Sequence, residues 1–196
     1  VFAALSAWLL ARERLLTGAT RGPLLAAGAA VFVGTALAVL SKANGMLLPL
    51  LLLAVDACLP RATNEPTALR RARWICLRLP SIAIALAVLA QVPASMRSAA
   101  LDRTWTLGQR LLTEPRALLD YAELLWLPRA FTPGLFNDDF TASTGLLQPW
   151  TTLPALLIVS AAFVLALVFR RRATAAAMAV LFFLAGHLIE SGPEKQ

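Results

Sequence analysis

Histidine occurs once and cysteine twice in 196 residues. That excludes a multi-histidine metal centre within this stretch, and a disulfide scaffold, which needs several pairs in a small chain. Charge is scarce too: 15% of residues are charged, where about a quarter is usual. Acids are the scarcer sign, 11 against 18 Lys and Arg, for a formal net charge of +7. No Walker, Rossmann, HExxH or Ser-His-Asp pattern is present, nor any internal repeat or low-complexity linker. What is there instead is apolar. Hydrophobic residues make up 59% and mean hydropathy is +0.70, so the chain is neither disordered nor a coiled coil. About 200 residues cannot hide that much apolar surface in one soluble core. The composition is that of a polytopic membrane protein, and no nucleic acid is expected as partner despite a pI near 11.0.

Five segments qualify as spans: Pro23–Leu40, Gly45–Leu59, Trp74–Val92, Leu153–Phe169 and Ala173–Ile189. Each approaches the roughly 20 residues needed to cross about 30 Å of hydrocarbon. Arg78 and Pro80 interrupt the third early on. A sixth run, Val1–Ala11, reads as the tail of a spanning helix rather than a short buried helix or a signal peptide, since no basic region precedes it. The chain thus reads as the middle of a longer protein. No segment alternates with period 2, so the expected fold is all-α, a helical bundle of about five full spans plus one truncated.

Arginine placement orients this bundle. With Val1–Ala11 running inward, the inside loops receive 11 cations (Arg12, Arg14, Arg21, Arg61, Arg70, Arg71, Arg73, Arg78 and Arg170 to Arg172) against 3 acids, Glu13, Asp56 and Glu65. The outside receives 7 cations and 8 acids. The expected location is a plasma membrane, with basic loops cytoplasmic and residues 93–152 extracytoplasmic. Cys58 and Cys76 fall at the cytoplasmic ends of their spans without a CxxC pairing, and both read as small apolar side chains.

The outer stretch 93–152 is too long to be structureless. Thr113 is placed to cap a helix with Pro115 in its first turn. On that helix Arg116, Asp120 and Glu123 share one face, while Leu118, Leu119, Ala122, Leu125 and Trp126 fill the other. Such an amphipathic helix lies in the membrane interface, with a weaker copy over Thr104–Leu112. Lys42 lies in the turn Ser41-Lys42-Ala43-Asn44-Gly45. The span after it is 15 residues, about 22 Å by helix rise, which draws the turn below the outer surface. An ionisable group there is a candidate for function, and the competing reading is a lysine snorkelling from a helix end. Asp138 and Asp139 are adjacent carboxylates, suited to a divalent cation or a base or simply solvated. His187 and Glu190 share a helix face at i, i+3.

Four stretches together resemble a known family. Leu40-Ser41-Lys42-Ala43-Asn44-Gly45 before a Leu-rich span resembles its LSKENG-type turn. Arg110–Arg129 and Gly134–Leu147 resemble its outer loop, and Phe182–Ser191 its late-span signature. The family is the bacterial relatives of the transmembrane and tetratricopeptide-repeat O-mannosyltransferases, of the GT-C fold. The resemblance implies a membrane glycosyltransferase that moves a sugar from a polyprenyl-phosphate donor to a protein or glycan acceptor outside the membrane. It also implies a catalytic acid in an outer loop before Val1, and tetratricopeptide repeats after the last spans. The family's acid after the lysine is missing at Ala43, and Gly192–Gln196 departs from its continuation. Lys42, Arg110, Arg116 and Tyr121 are then the groups expected to hold the donor phosphate and lipid, with Asn44, Asp138, Asp139, His187 and Glu190 as further cavity candidates. Membrane lipids and the lipid-linked sugar are the expected partners. A transporter or flippase and a non-catalytic anchor for a repeat protein are the rival readings. The absence of an inverted repeat weighs against the first, and the patterned outer loop against the second.

Overall fold

The computed structural model describes residues 1–19, 21–102, 106–127 and 141–187. Among them every regular element is helical: α1 (Phe2–Leu16), α2 (Arg21–Ser41), α3 (Leu48–Cys58), α4 (Thr67–Ala72), α5 (Leu79–Asp102), α6 (Leu107–Trp126), α7 (Thr152–Phe169) and α8 (Thr174–His187). A 3-10 turn over Ala43–Leu47 leads into α3, and a π-turn over Arg73–Arg78 joins α4 to α5. Among the described residues three helical stretches are long and apolar enough to cross a membrane: Arg21–Ser41, Thr67–Ala90 and Thr152–Phe169. Two others, Asn44–Cys58 and Thr174–His187, are apolar but shorter. The chain forms two compact units, Val1–Ala90 with Leu165–Gly192, and Gln91–Val164 with Pro193–Gln196.

In the first unit α1 and α2 pack as an antiparallel pair, and α3 packs on α8. The core is built from small and aliphatic residues: Ala4, Ala11, Ala27, Val31, Leu48 and Leu52 surround the fully buried Trp8. Close packing sets this choice. A Cβ on Gly34 would come within 3.0 Å of Ala4 Cβ and 3.2 Å of Leu48 Cδ2, so α1, α2 and α3 meet at a glycine. Small residues at crossings are how apolar helices associate where water cannot drive them together.

The other end of α1 and α3 carries an ion cluster. Asp56 sits in the apolar helix α3 at 4% exposure, and an unpaired carboxylate there would be prohibitively costly. It is held by the Arg73 Nε, which donates to its Oδ2, and by Arg12, whose Nε lies 3.5 Å from Oδ1. Arg73 also donates through Nη1 to both Glu65 oxygens, at 2.7 and 2.9 Å, and Arg12 donates to the Pro60 carbonyl at 2.5 Å. Two cations and two anions make the cluster neutral. It ties α1, α3, the 59–66 loop and the start of the π-turn at one point.

The π-turn explains how Pro80 is accommodated. In an α-helix Pro80 could not donate to the Cys76 carbonyl, and its ring would press against it. The wider turn steps over this: the Leu79 N–H donates to Trp74, five residues back. The helix is therefore not interrupted at Arg78 and Pro80, as the sequence reading expected. It also continues ten residues past the expected end at Val92, to Asp102. Pro93 removes one donor, but the run Ala94–Leu101, with three Ala and no Gly or Pro, has enough helix propensity to carry on.

In the second unit the expected Thr113 cap is corrected. A single helix starts seven residues earlier, because Thr106 and Gln109 form a capping box: the Thr106 N–H donates to Gln109 Oε1 at 2.8 Å and the Gln109 N–H to Thr106 Oγ at 3.3 Å. Pro115 is consequently interior, and Thr113 lies inside the helix, where its hydroxyl donates to the Gln109 carbonyl at 2.6 Å. That hydroxyl also accepts the Ser143 N–H at 2.8 Å, and Ser143 Oγ bonds Thr152 Oγ at 2.9 Å with both residues fully buried. The 141–152 segment is thereby pinned to α6.

Two outcomes follow. Asp56→Ala leaves two arginines buried around an empty position and is expected to destabilise the full-length protein by about 3–5 kcal/mol, read from chemical unfolding in detergent; an unchanged midpoint would show the cluster to be dispensable. Thr106→Ala removes one arm of the capping box, costing about 1 kcal/mol, and should speed amide exchange at 107–110 while leaving α3 unaffected.

Candidate functional site

The site grows out of the place where α2 stops. Lys42 adopts an extended backbone (φ −155°, ψ 142°), which ends the helix, while its own N–H still donates to the Ala38 carbonyl at 2.9 Å. The chain then tightens into the 3-10 turn, closed by the Gly45 N–H donating to the Lys42 carbonyl at 2.8 Å. Pro49 in the first turn of α3 loses nothing, because its missing N–H would have had no helical partner. Gly45 is there for a steric reason. A Cβ on it would overlap the Ala38 carbonyl group and the Val39 nitrogen, so the turn lies directly on the backbone of α2.

This folding-back opens a cavity of about 610 Å³ at the end of the first unit opposite the ion cluster. Its walls are apolar, from Phe2 of α1, Leu37 of α2, Leu51 of α3 and Phe182 of α8. Its polar groups come from the turn: Ser41, Lys42 and Asn44. The size is that of a small-molecule pocket, and the pattern of apolar walls with a few convergent polar groups is the usual one for ligand binding. Lys42 is exposed and Asn44 half-buried, so a cation and an amide sit at the edge of an apolar chamber.

Of the residues expected at the site, the structure brings Lys42 and Asn44 together around this cavity. His187 follows the lining residue Gly186, but its ring is turned along its own helix, with Nδ1 donating to the Phe183 carbonyl at 2.9 Å and the ring 4.5 Å from that of Phe183. Arg110, Arg116 and Tyr121 lie on α6 in the second unit. Arg116 Nη1 donates to the Thr141 carbonyl at 2.8 Å and to Ser143 Oγ at 3.2 Å, which makes it a tie for the 141–143 segment. Arg110 is half-buried and Tyr121 exposed. Asp138, Asp139 and Glu190 lie outside the described residues, as does the side chain of Trp126. Among the described residues no three His, Cys, Asp or Glu side chains form a metal-ligating group.

The sequence reading counted Asp56 and Glu65 only as loop charges and missed the ion cluster. A signal for it was present: Asp56 is the one acid in the apolar run Leu47–Leu59, and an acid inside such a helix implies a cation beside it.

Gly45→Ala is expected to push the turn off α2 and collapse the cavity's polar edge. Full-length protein carrying it should still insert in membranes, while accessibility of a cysteine introduced at Ser41 to a water-soluble thiol reagent changes; identical labelling would show that the close approach is not needed.

No family model, no curated protein and no solved structure matches the chain.

Proposed function

We propose that this chain is part of a membrane glycosyltransferase of the GT-C type. On this reading it transfers a sugar from a polyprenyl-phosphate donor to a protein or glycan acceptor at the extracytoplasmic face of a bacterial inner membrane. The observation that carries the reading is Lys42 at the polar edge of an apolar cavity between four helices, α1, α2, α3 and α8. A polyprenyl-phosphate sugar has the matching parts: an apolar chain, one anionic phosphate and a polar head. The resemblance of the Leu40–Gly45 turn to the family's lysine-containing turn supports it independently.

The chemistry follows from charge. The acceptor oxygen attacks the anomeric carbon, the bond from that carbon to the phosphate oxygen breaks, and the phosphate leaves with the electron pair. Negative charge grows on the phosphate as this happens, and an ammonium beside it stabilises the transition state more than the ground state. Phe2, Leu37 and Phe182 line the space for the first isoprene units, and Asn44 offers an amide to the phosphate or sugar hydroxyls. None of the lining residues is a carboxylate. The reading therefore assigns the general base to the outer loop that the resemblance places ahead of Val1.

The test is Lys42→Ala in the full-length protein, assayed in membranes with a radiolabelled polyprenyl-phosphate sugar. Transfer should fall about a hundredfold, the scale for loss of one group that stabilises developing charge, with membrane levels unchanged. Transfer at the wild-type rate refutes the site. Flipping of the labelled lipid across sealed vesicles, with no transfer, refutes the enzyme reading in favour of a flippase.

A further inference from the structure

A second feature lies on the outside of the first unit, at the π-turn. The wider turn splits the segment cleanly: Arg73, Cys76 and Leu77 are buried, while Trp74 and Ile75 are 48% and 55% exposed. Arg78 reaches back over Trp74, its guanidinium carbon 5.0 Å from the ring centroid. The side chain therefore runs toward the N-terminal end of its helix, as an arginine does when it carries its charge out of hydrocarbon. That direction leads to Arg70 and Arg71, both exposed, one turn before Trp74. In the other direction lie Leu79, Ile82 and Leu86, all exposed and all apolar. Among the described residues no acid pairs with Arg70, Arg71 or Arg78. Asp56 and Glu65, the nearby acids, are taken by Arg12 and Arg73.

We propose that the strip formed by Arg70, Arg71, Trp74 and Arg78 binds the headgroup of an anionic phospholipid, whose acyl chains run along Leu79, Ile82 and Leu86. It rests on the membrane part of the reading above and not on sugar transfer. Three arginines without acids present donors in the planar fork that matches a phosphate bidentately. The exposed indole is amphipathic and suits the headgroup level, and its face orients the Arg78 guanidinium. The order along the helix, basic then aromatic then apolar, is the order of phosphate, glycerol and acyl chain in a lipid leaflet. A zwitterionic lipid carries a compensating cation, which three arginines repel, so the site selects net negative headgroups.

The test uses the full-length protein released from detergent for native mass spectrometry, with phosphatidylglycerol or phosphatidylcholine titrated in. Wild-type protein should retain phosphatidylglycerol preferentially. R78Q should lower that preference about fivefold, the scale of one arginine at an anionic surface, and W74L should lower it as well while removing no charge. The double variant R171Q/R172Q removes two arginines from the α7–α8 turn and should leave the preference unchanged. An unchanged preference in both R78Q and W74L overturns the site, and so does an equal fall in R171Q/R172Q, which would mean bulk charge attraction. If R78Q proves unstable in detergent, W74L alone decides. Loss of a co-purifying acidic protein with lipid retention intact overturns the site in favour of a protein partner. K42A, which blocks transfer on the proposed reading, should keep the lipid preference. Release of the chain by alkaline carbonate would refute the membrane reading itself.

Discussion

The carboxylate of Asp56 must be neutralised inside an apolar helix, and the arrangement of the first unit depends on how that is done. Its two arginines come from α1 and from the π-turn, far apart in sequence, and Arg73 recruits Glu65 so that its own charge is matched. Measured against a well-packed apolar substitute, such a network contributes little net stability, because desolvating four charges offsets most of their attraction. What it supplies is register. Apolar helices of this composition can slide past one another at small cost, since Leu against Leu is much the same one turn along. A buried acid allows only the register that brings Arg12 and Arg73 to it.

Register at one end has a consequence at the other. Leu48 to Cys58 spans about 15 Å by helix rise, so once Asp56 is held against Arg12, Leu48 at the start of α3 and Ala4 near the start of α1 meet at the same point of α2, Gly34. The 3-10 turn must then return from α2 within the space left, which it does by laying Gly45 on the Ala38 backbone. The cavity is what remains between the start of α1, the end of α2 and the end of α8. A charge cluster and a ligand-sized chamber at opposite ends of the unit are thus one constraint seen twice. Neither depends on the second unit, whose own order comes from the Thr113, Ser143 and Thr152 hydroxyls.

The helical class and most of the apolar segments were legible in the sequence because long apolar runs have few alternatives once water is excluded. The Lys42 turn was legible for a local reason: Asn44-Gly45 is a dipeptide that favours a turn. What escaped was long-range or competitive. The partners of Asp56 lie 44 residues before it and 17 after, and no periodicity connects them. At α6 two start signals compete, Thr106 with Gln109 and Thr113 with Pro115, and the reciprocal capping box prevails because it satisfies two orphan donors instead of one. At Pro80 the usual helix-ending rule failed because the π-turn offers a third outcome besides ending and kinking.

The distribution of cation types agrees with this division of labour. In the first unit the cations of the ion cluster are arginines, Arg12 and Arg73, and Arg78 lies on the Trp74 indole. A planar, delocalised cation that cannot lose its proton suits the buried contacts of Arg12 and Arg73. The cation at the cavity is the lysine. An ammonium on a flexible stem is a compact charge that can follow a phosphate as it moves between ground state and leaving group, at no cost in lost planar geometry. On the proposed reading, that difference is why an arginine at position 42 would preserve the charge and still impair turnover, since its five-donor fork would hold the departing phosphate in place. The neutral cluster and Lys42 are therefore complementary solutions: one removes charge from the electrostatics of the bundle, and the other places a cation where the chamber opens.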